Sequence, residues 1–223
     1  MEIPLFPLPN LVLFPGIVVP LHIFEDRYKS MINTCIERNE AFGLLLLRDG
    51  AEEESDETIH RVGVTARIVE VERLDDGWMN ILCEGESRFR VYRFTQQTPF
   101  WKGTVDLFED AEIRSGIEAL YEQAAGLYRK VADLGRQIRG SEPGELVLPE
   151  SPVDLSYMVS YVLDIAYEEK QKLLEMTSTS ERLEVLVSHL EDSIRKLEQQ
   201  LAYKHLAAKA RGNGDLGHPG KSG

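Results

Sequence analysis

Prolines are concentrated at the start of the chain, and they limit what this stretch can fold into. Five of the ten prolines lie within the first twenty residues. Because each proline lacks a backbone N–H and holds φ at about −65°, the apolar runs 3–6, 12–14 and 17–21 are predicted to be short strands or edge segments joined by rigid turns. From Glu25 onward apolar residues recur at helical spacing, with acidic residues in the first turn. A helix is therefore predicted to follow the proline-rich segment.

Composition and charge narrow the class of protein. The chain has 223 residues, is 43% hydrophobic and carries a net charge of −13, which indicates a globular fold and disfavours binding to nucleic acid or anionic membranes. Cys35 and Cys83 lack C-x-x-C spacing, so we expect two buried thiols in a reducing compartment and neither a zinc site nor a redox pair. With no secretory signal and no apolar run long enough to span a bilayer, we expect a cytoplasmic protein.

The first half of the chain reads as a series of strands. The run 42–47 (FGLLLL) predicts a buried strand, and the acidic run 51–57 predicts a solvated loop. The apolar residues change from even-numbered to odd-numbered positions near residue 69, which predicts a β-bulge. The Asp-Gly pair at 76–77 predicts a hairpin. Further strands are expected, one broken at Gly85, over residues 78–83, 88–95 and 101–107. Strands without intervening helices indicate a curved, mainly antiparallel sheet or small barrel.

Helical spacing replaces this pattern after residue 110. Apolar residues stepping by threes and fours predict a long helix over 113–138 that ends at Gly140. Ser151 followed by Pro152 predicts the start of a second helix, and the Ser178–Glu181 capping box predicts the start of the last one. The glycine-rich end, 211–223, is predicted to be a disordered tail.

The last helix has an apolar seam typical of a two-stranded coiled coil. The seam alternates steps of four and three and comprises Leu183, Val187, Leu190, Ile194, Leu197 and Leu201. It has two interpretations: packing against the chain's own helices, or a homodimer through this helix. The first is preferred because barely three heptads are present.

Three stretches in the same order resemble the N-terminal, substrate-binding domain family of Lon proteases. The first is PLFPLPNLVLFPG at 4–16 with VPLHIFEDRYKSMI at 19–32. The second is GVTARIVEVERLDDG at 63–77 with LCEGESRFRV at 82–91. The third is KQKLLEMTSTSERLEVL at 170–186. Together with the strand and helix patterns, the resemblance implies an α+β fold: a curved antiparallel sheet or PUA-like pseudo-barrel with one helix, then a helical bundle with a long last helix.

These patterns suggest a β-rich lobe over 1–110 and a helical lobe over 111–210. Full-length Lon proteases add ATPase and protease modules, and no motif of either is present in this sequence. There is also no G-x-S-x-G or H-E-x-x-H motif. We therefore expect a stand-alone module that is not an enzyme and has no cofactor and no metal site.

The positive functional signal is apolar surface at the proline-rich opening. Rigid loops can present apolar side chains at low entropic cost. The aromatic corner at 99–101 is expected to extend this surface, and the charged start of the first helix follows the loops directly in the sequence. Most of the apolar side chains, including Leu5 and Phe6, are expected to fill the barrel, with two or three exposed. The candidate polypeptide-binding residues are Phe14, Val18, Ile23, Phe24, Arg27, Tyr28, Lys29, Phe100 and Trp101.

The leading hypothesis is a polypeptide-binding module that acts as an adaptor or chaperone-like factor. Its expected partners are unfolded or flexible polypeptides, with a separate protease or chaperone as a further candidate. The alternative is a small-molecule-binding domain or hydrolase with a pocket between the sheet and the helices. Convergent polar groups with Trp78 or Trp101 in the pocket wall would favour that alternative.

Overall fold

The computed structural model describes most of the chain. It covers residues 1–48, 50–51, 53–75, 77–111, 116–142, 144 and 146–212, with residues 208–212 included only as the end of a helix. From residue 213 onward the predicted tail lies outside the described residues. The described part has an α+β fold with six strands and five helices.

The strands form one mixed sheet that closes on itself. They are β1 (Glu2–Leu8), β2 (Val18–Ile23), β3 (Phe42–Leu47), β4 (Ile59–Arg73), β5 (Met79–Gln96) and β6 (Trp101–Leu107). Their order is β2-β5-β4-β3-β1-β6, and an additional pairing of β5 with β6 closes the ring. Only the β1–β3 pair is parallel among these strands. The predicted bulge near residue 69 is confirmed by a register shift between Ile68 and Glu70.

Strand β5 is long enough to pair with two different strands along the same edge. Its first part pairs with β2 and its second part pairs with β6. The predicted break at Gly85 is wrong, because β5 continues through it. A Cβ on Gly85 would lie 2.4 Å from the carbonyl oxygen of Phe14. Glycine is needed there for close approach of the two backbones, and its N–H and carbonyl bond to Ile17 and Gly16.

The helices are α1 (Asp26–Arg38), α2 (Ile117–Arg139), α3 (Pro152–Val162), α4 (Tyr167–Glu175) and α5 (Thr179–Gly212). Sequence signals mark the end of α2 and the starts of α3 and α5, while residues 113–115 of the predicted long helix lie outside the described residues. Gly140 takes the left-handed conformation after α2, and the Ser151 side chain accepts a hydrogen bond from the Asp154 N–H at the start of α3. None of the helices in the described part of the chain is long and apolar enough to cross a membrane.

One large core joins the sheet to the helices. It includes residues from every helix and from five of the strands, while a second, smaller core lies inside the barrel around Leu5 and Phe89. Residues 12–14 form no regular strand, yet all three side chains are buried in the large core. The division into lobes at residue 110 and the PUA-like description stay predictions.

The apolar seam of α5 is turned toward the chain itself. Leu183, Val187, Leu190 and Ile194 are buried, and α5 packs along α2. These positions are therefore occupied by intramolecular contacts. Dimerisation through this helix stays a prediction.

Candidate functional site

An exposed stripe of mostly apolar side chains runs along β2. Successive strand residues point to opposite faces, so 18, 20, 22 and 24 share one side. Val18 is 50% exposed and Phe24, one residue beyond the strand, is 53% exposed; Pro20 and His22 are also exposed. At about 3.3 Å per residue the stripe is about 20 Å long. The opposite face, with Val19 and Ile23, is buried and anchors the strand.

The β4–β5 hairpin adds an aromatic side chain to this stripe. Trp78 is 40% exposed, its ring centroid lies 5.2 Å from that of His22 and 6.3 Å from that of Phe24, and the His22 and Phe24 rings lie 5.9 Å apart. His22 Nδ1 is 2.8 Å from Asn80 Oδ1 on β5. The ring contacts and this polar contact hold three rings together at the surface, and we call Val18, Pro20, His22, Phe24 and Trp78 the aromatic stripe.

The outer edge of β2 is open to further contacts. Within the described ranges β2 pairs with β5 and with no other strand. An open edge can accept another strand, but Pro20 has no N–H to donate to one. Side chains of the stripe are therefore better suited than the backbone to hold an extended segment.

A second cluster forms where α1, β6 and the β3–β4 connection meet. Glu54 accepts hydrogen bonds from Arg27 Nη1 and Nη2 at 2.9 and 2.7 Å, from Tyr28 Oη at 3.0 Å and from Trp101 Nε1 at 2.8 Å. Arg27 Nε also donates to Glu25. We call Arg27, Tyr28, Trp101 and Glu54 the carboxylate cluster. Burial, followed by the Glu54 charge, raises the pKa of Tyr28, so its hydroxyl stays a donor.

A cavity of about 580 Å³ adjoins the carboxylate cluster. Its wall includes Arg27, Glu54, Gln97, Thr98 and Trp101. It lies on the barrel side of the molecule, away from the helical bundle. Phe94 and Trp101 pack edge to face behind it, with ring centroids 5.1 Å apart.

Buried charges connect the sheet to the helices. Arg88 on β5 and Arg182 on α5 both donate to Asp110, which also accepts from Thr179 at 2.5 Å. The guanidinium groups donate further to the carbonyl of Met176. Burial raises the pKa of Asp110, but hydrogen bonds from Arg182 and Thr179 and the two arginine charges outweigh it, so the pKa is lowered.

A cavity of about 370 Å³ lies beside these charges, between sheet and helices. Arg88, Asp110 and Tyr157 are in its wall, and neither Trp78 nor Trp101 is. Tyr157 donates to Asp110 and its ring lies under both arginines. These polar groups are already occupied by one another. The cavity therefore gives little support to the small-molecule alternative.

Another charged contact joins β4 to α4. His60 is buried, with Nε2 3.0 Å from Glu168 and Nδ1 3.8 Å from Glu175. The contact with the Glu175 carboxylate raises the pKa of His60, burial lowers it, and the Glu168 carboxylate raises it further, with a net rise. Within the described ranges no three His, Cys, Asp or Glu side chains come together to hold a metal ion.

The structure separates eight of the nine predicted site residues into three groups and leaves Lys29 apart from them. Val18 and Phe24 lie on the aromatic stripe, and Arg27, Tyr28 and Trp101 meet in the carboxylate cluster. Lys29 pairs with Asp26 in the first turn of α1. The remaining three side chains are buried in the large core; they are Phe14, Ile23 and Phe100.

Sequence reasoning missed Glu54 and the grouping of His22 and Trp78 at the surface. Glu54 lies in the acidic run 51–57, which predicts a solvated loop, and nothing in that run distinguishes it from its neighbours. The β2 stripe could have been found, because strand alternation places residues 18, 20, 22 and 24 on one face.

Comparison with known proteins gives related sequences with the same fold. "Lon protease" of Methylocella silvestris is 30% identical over 197 residues, covering 86% of this chain and 24% of that protein. "Lon protease" of Dictyoglomus thermophilum is 25% identical over 201 residues, covering 88% of this chain and 25% of that protein. This chain therefore spans about a quarter of the length of these relatives.

Solved structures match over most of the fold. The crystal structure of a Lon N-terminal domain protein from Xanthomonas campestris has a TM-score of 0.63 and 25% identity, covering 84% of this chain and 98% of that one. The N-terminal domain of Mycobacterium avium complex Lon protease has a TM-score of 0.64 at 22% identity, covering 86% of this chain and 99% of that one. The family model of the ATP-dependent protease La (LON) substrate-binding domain matches residues 2–192. The chain therefore belongs to the Lon substrate-binding domain family.

Proposed function

We propose that the chain recognises polypeptides through the aromatic stripe, acting without catalysis of its own. The observation that carries the proposal is the exposed group of rings formed by His22, Phe24 and Trp78. Large apolar side chains grouped at a surface are typical of interaction sites. They bind through area removed from water, which requires no strict sequence in the partner. Family membership supports the same role.

The shape of the stripe fits an extended segment. A strip about 20 Å long accommodates about six residues of extended chain. Its base is rigid, because Val19 and Ile23 are buried beneath it and Pro20 fixes the backbone. A rigid surface pays little ordering entropy when a segment binds. An adaptor or chaperone-like role, with delivery to a separate protease, is the finer form of this proposal.

The test is binding of a fluorescein-labelled, reduced and alkylated unfolded protein, followed by fluorescence anisotropy. We expect Phe24→Ser and Trp78→Ser each to weaken binding by about tenfold, since each removes a large apolar contact. Tyr92→Ser is the matched control, because Tyr92 on β5 is 76% exposed and outside the stripe. Its affinity should stay within about twofold of the unmodified chain.

Thermal unfolding of each variant separates loss of binding from loss of fold. All three side chains are exposed, so each variant should unfold close to the unmodified chain. If the two stripe variants bind the unfolded protein as well as the Tyr92 variant does, the stripe is not the binding surface.

A further inference from the structure

The carboxylate cluster has the composition of a receptor for a carboxylate. Arg27 binds Glu54 through two parallel N–H bonds, which is the geometry that selects a planar carboxylate. Tyr28 and Trp101, both buried, add one donor each at fixed positions. Glu25 accepts from Arg27 Nε and so orients the guanidinium without using its outer edge.

The donors and the acceptor belong to different parts of the fold. Arg27 and Tyr28 lie on α1 and Trp101 on β6, whereas Glu54 lies in the connection between β3 and β4. That connection is held by its own contacts: Ser55 and Thr58 bond to each other, and the Arg48 N–H bonds to the Thr58 carbonyl. Glu54 can therefore leave the donors by a change of rotamer while the backbone around it keeps these bonds.

Repulsion between negative charges means that a new carboxylate has to replace Glu54 at the donors and cannot bind beside it. Arg27 already faces Glu25 and Glu54, and a third negative charge would be repelled. Exchange of one carboxylate for another keeps the local charge unchanged. The adjoining cavity of about 580 Å³ gives the body of the incoming ligand a place beside Trp101.

We propose that Arg27, Tyr28 and Trp101 form a binding site for the carboxylate of a polypeptide, and that Glu54 is an internal ligand that occupies it until displaced. The site begins three residues after Phe24, within about 11 Å of the stripe along the chain. A segment on the aromatic stripe can thus place a carboxylate in this site. Only the identification of the ligand as a polypeptide rests on the proposed function.

The first experiment is rescue of a Glu54→Ala variant by sodium acetate, measured by thermal unfolding. Removing the carboxylate leaves the donors unpaired and lowers the unfolding temperature. Acetate should bind in its place and raise that temperature saturably, by about 3 to 6 °C at roughly 100 mM. Glu57→Ala, in the same connection and exposed, is the matched control and should show no saturable rise.

Two further variants decide the interpretation. Arg27→Ala combined with Glu54→Ala removes the bidentate donor, so the acetate effect should disappear. Glu54→Gln keeps the shape and an acceptor oxygen, and it replaces the alanine variant in the same titration if that variant does not fold. An acetate effect equal in the Glu54 and Glu57 variants, or one that persists without Arg27, would overturn the proposal.

The second experiment asks whether ligands that resemble peptide ends use the site. Trp78→Phe leaves Trp101 as the only tryptophan, so its fluorescence reports on the cluster. N-acetyl-leucine should change this fluorescence on binding, and its dissociation constant should be at least tenfold lower in the Glu54→Ala background than with Glu54 present. N-acetyl-leucinamide, which has no carboxylate, should not bind in either background. Equal binding of acid and amide, or equal affinity with and without Glu54, would contradict the assignment.

A third ligand distinguishes the two sources of a carboxylate. N-acetyl-glutamic acid α-amide carries only a side-chain carboxylate. Tighter binding than N-acetyl-leucine identifies acidic side chains as the ligand, and weaker binding identifies chain ends. These titrations use small acids and not an unfolded protein, so their result does not depend on the anisotropy assay of the aromatic stripe. Either site can therefore be supported while the other is contradicted.

Discussion

Asp110 is the residue on which the buried charges depend. Two guanidinium groups and one carboxylate lie almost without solvent contact between β5 and α5. Taking these charges out of water is costly, so their geometry and their additional carbonyl partners have to offset that cost. Removing the single acid would leave two buried cations facing each other.

We expect Asp110→Asn to lower the free energy of unfolding by about 3 to 5 kcal/mol, because it breaks a buried ion pair from one side only. Equilibrium denaturation in urea measures the change. Asp106→Asn is the control, since Asp106 is exposed on β6 and its replacement should change the value by less than about 0.5 kcal/mol. Similar values for the two variants would show that the buried network does not stabilise the fold.

His60 gives the fold a dependence on pH. Its pKa is raised from 6.5, and its contribution is therefore complete below about pH 6.5 and lost as the pH rises through the folded-state pKa. The contact with His60 is the largest of the causes that lower the pKa of Glu175 below 4.5, so that acid contributes above about pH 4.5. Glu168 also faces the imidazole, and the positive charge of Arg48 opposes its protonation.

The free-energy difference between the unmodified chain and His60→Asn should therefore be greatest between about pH 5 and pH 6.5. It should fall by about 1 kcal/mol by pH 9, a magnitude typical of a partly exposed ion pair. Urea denaturation across this range measures it, with His205→Asn on the exposed side of α5 as the control. A difference that is constant with pH would mean that the imidazolium does not pair with the two glutamates.

Strand β5 is the element that organises the barrel. It contacts β4 along most of its length and divides its other side between β2 and β6. The change of neighbour occurs at Gly85, against which the buried segment 12–14 passes. The aromatic stripe depends on this arrangement, because β2 is attached to the barrel only through β5 within the described residues.

We expect Gly85→Ala to lower the free energy of unfolding by about 1 to 3 kcal/mol, since the new Cβ meets backbone that cannot move aside. Gly126→Ala is a control of opposite sign: this glycine lies inside α2 with open space around it, so alanine should stabilise the chain by about 0.5 to 1 kcal/mol. Thermal unfolding compares both. A neutral effect at residue 85 would show that the two backbones can separate at no cost.

The whole molecule is held together by one core that crosses the predicted lobe boundary. Side chains of β2, α1 and β4 belong to the same buried cluster as those of α2, α3 and α5. The Asp110 and His60 contacts add charged connections between sheet and helices. A shared core of this kind favours cooperative unfolding.

We expect the barrel and the helices to unfold together. Both tryptophans lie in the barrel, at the β4–β5 hairpin and on β6, so their fluorescence reports on that part. Circular dichroism at 222 nm reports chiefly on α2 and α5, the longest helices described. The two denaturation curves should coincide in midpoint and slope. Separate midpoints would instead support two lobes that unfold independently.

Local patterns determined most of the secondary structure. The prolines of the opening, Gly77 in the β4–β5 turn, Gly140 and the Ser151 and Ser178 caps act through backbone geometry within a few residues, so they can be recognised without knowing the fold. The family resemblance was visible for the same reason, in short motifs. Alternation along β2 also predicts the exposed face that supplies four of the five residues of the aromatic stripe.

Tertiary structure decided which residues meet. Arg88 and Arg182 are 94 positions apart in the sequence, yet both contact Asp110. Glu54 likewise meets donors from two distant elements, α1 and β6. The sequence around Gly85 predicts a break in the strand, because the backbone that this glycine accommodates lies about seventy residues away along the chain. Likewise, Phe14 is as apolar as Val18 and Phe24, and packing in the core shared by the sheet and the helices buried it while the other two stayed exposed. Periodicity records what lies beside a residue along the chain, whereas burial and charge pairing depend on what packs against it in space.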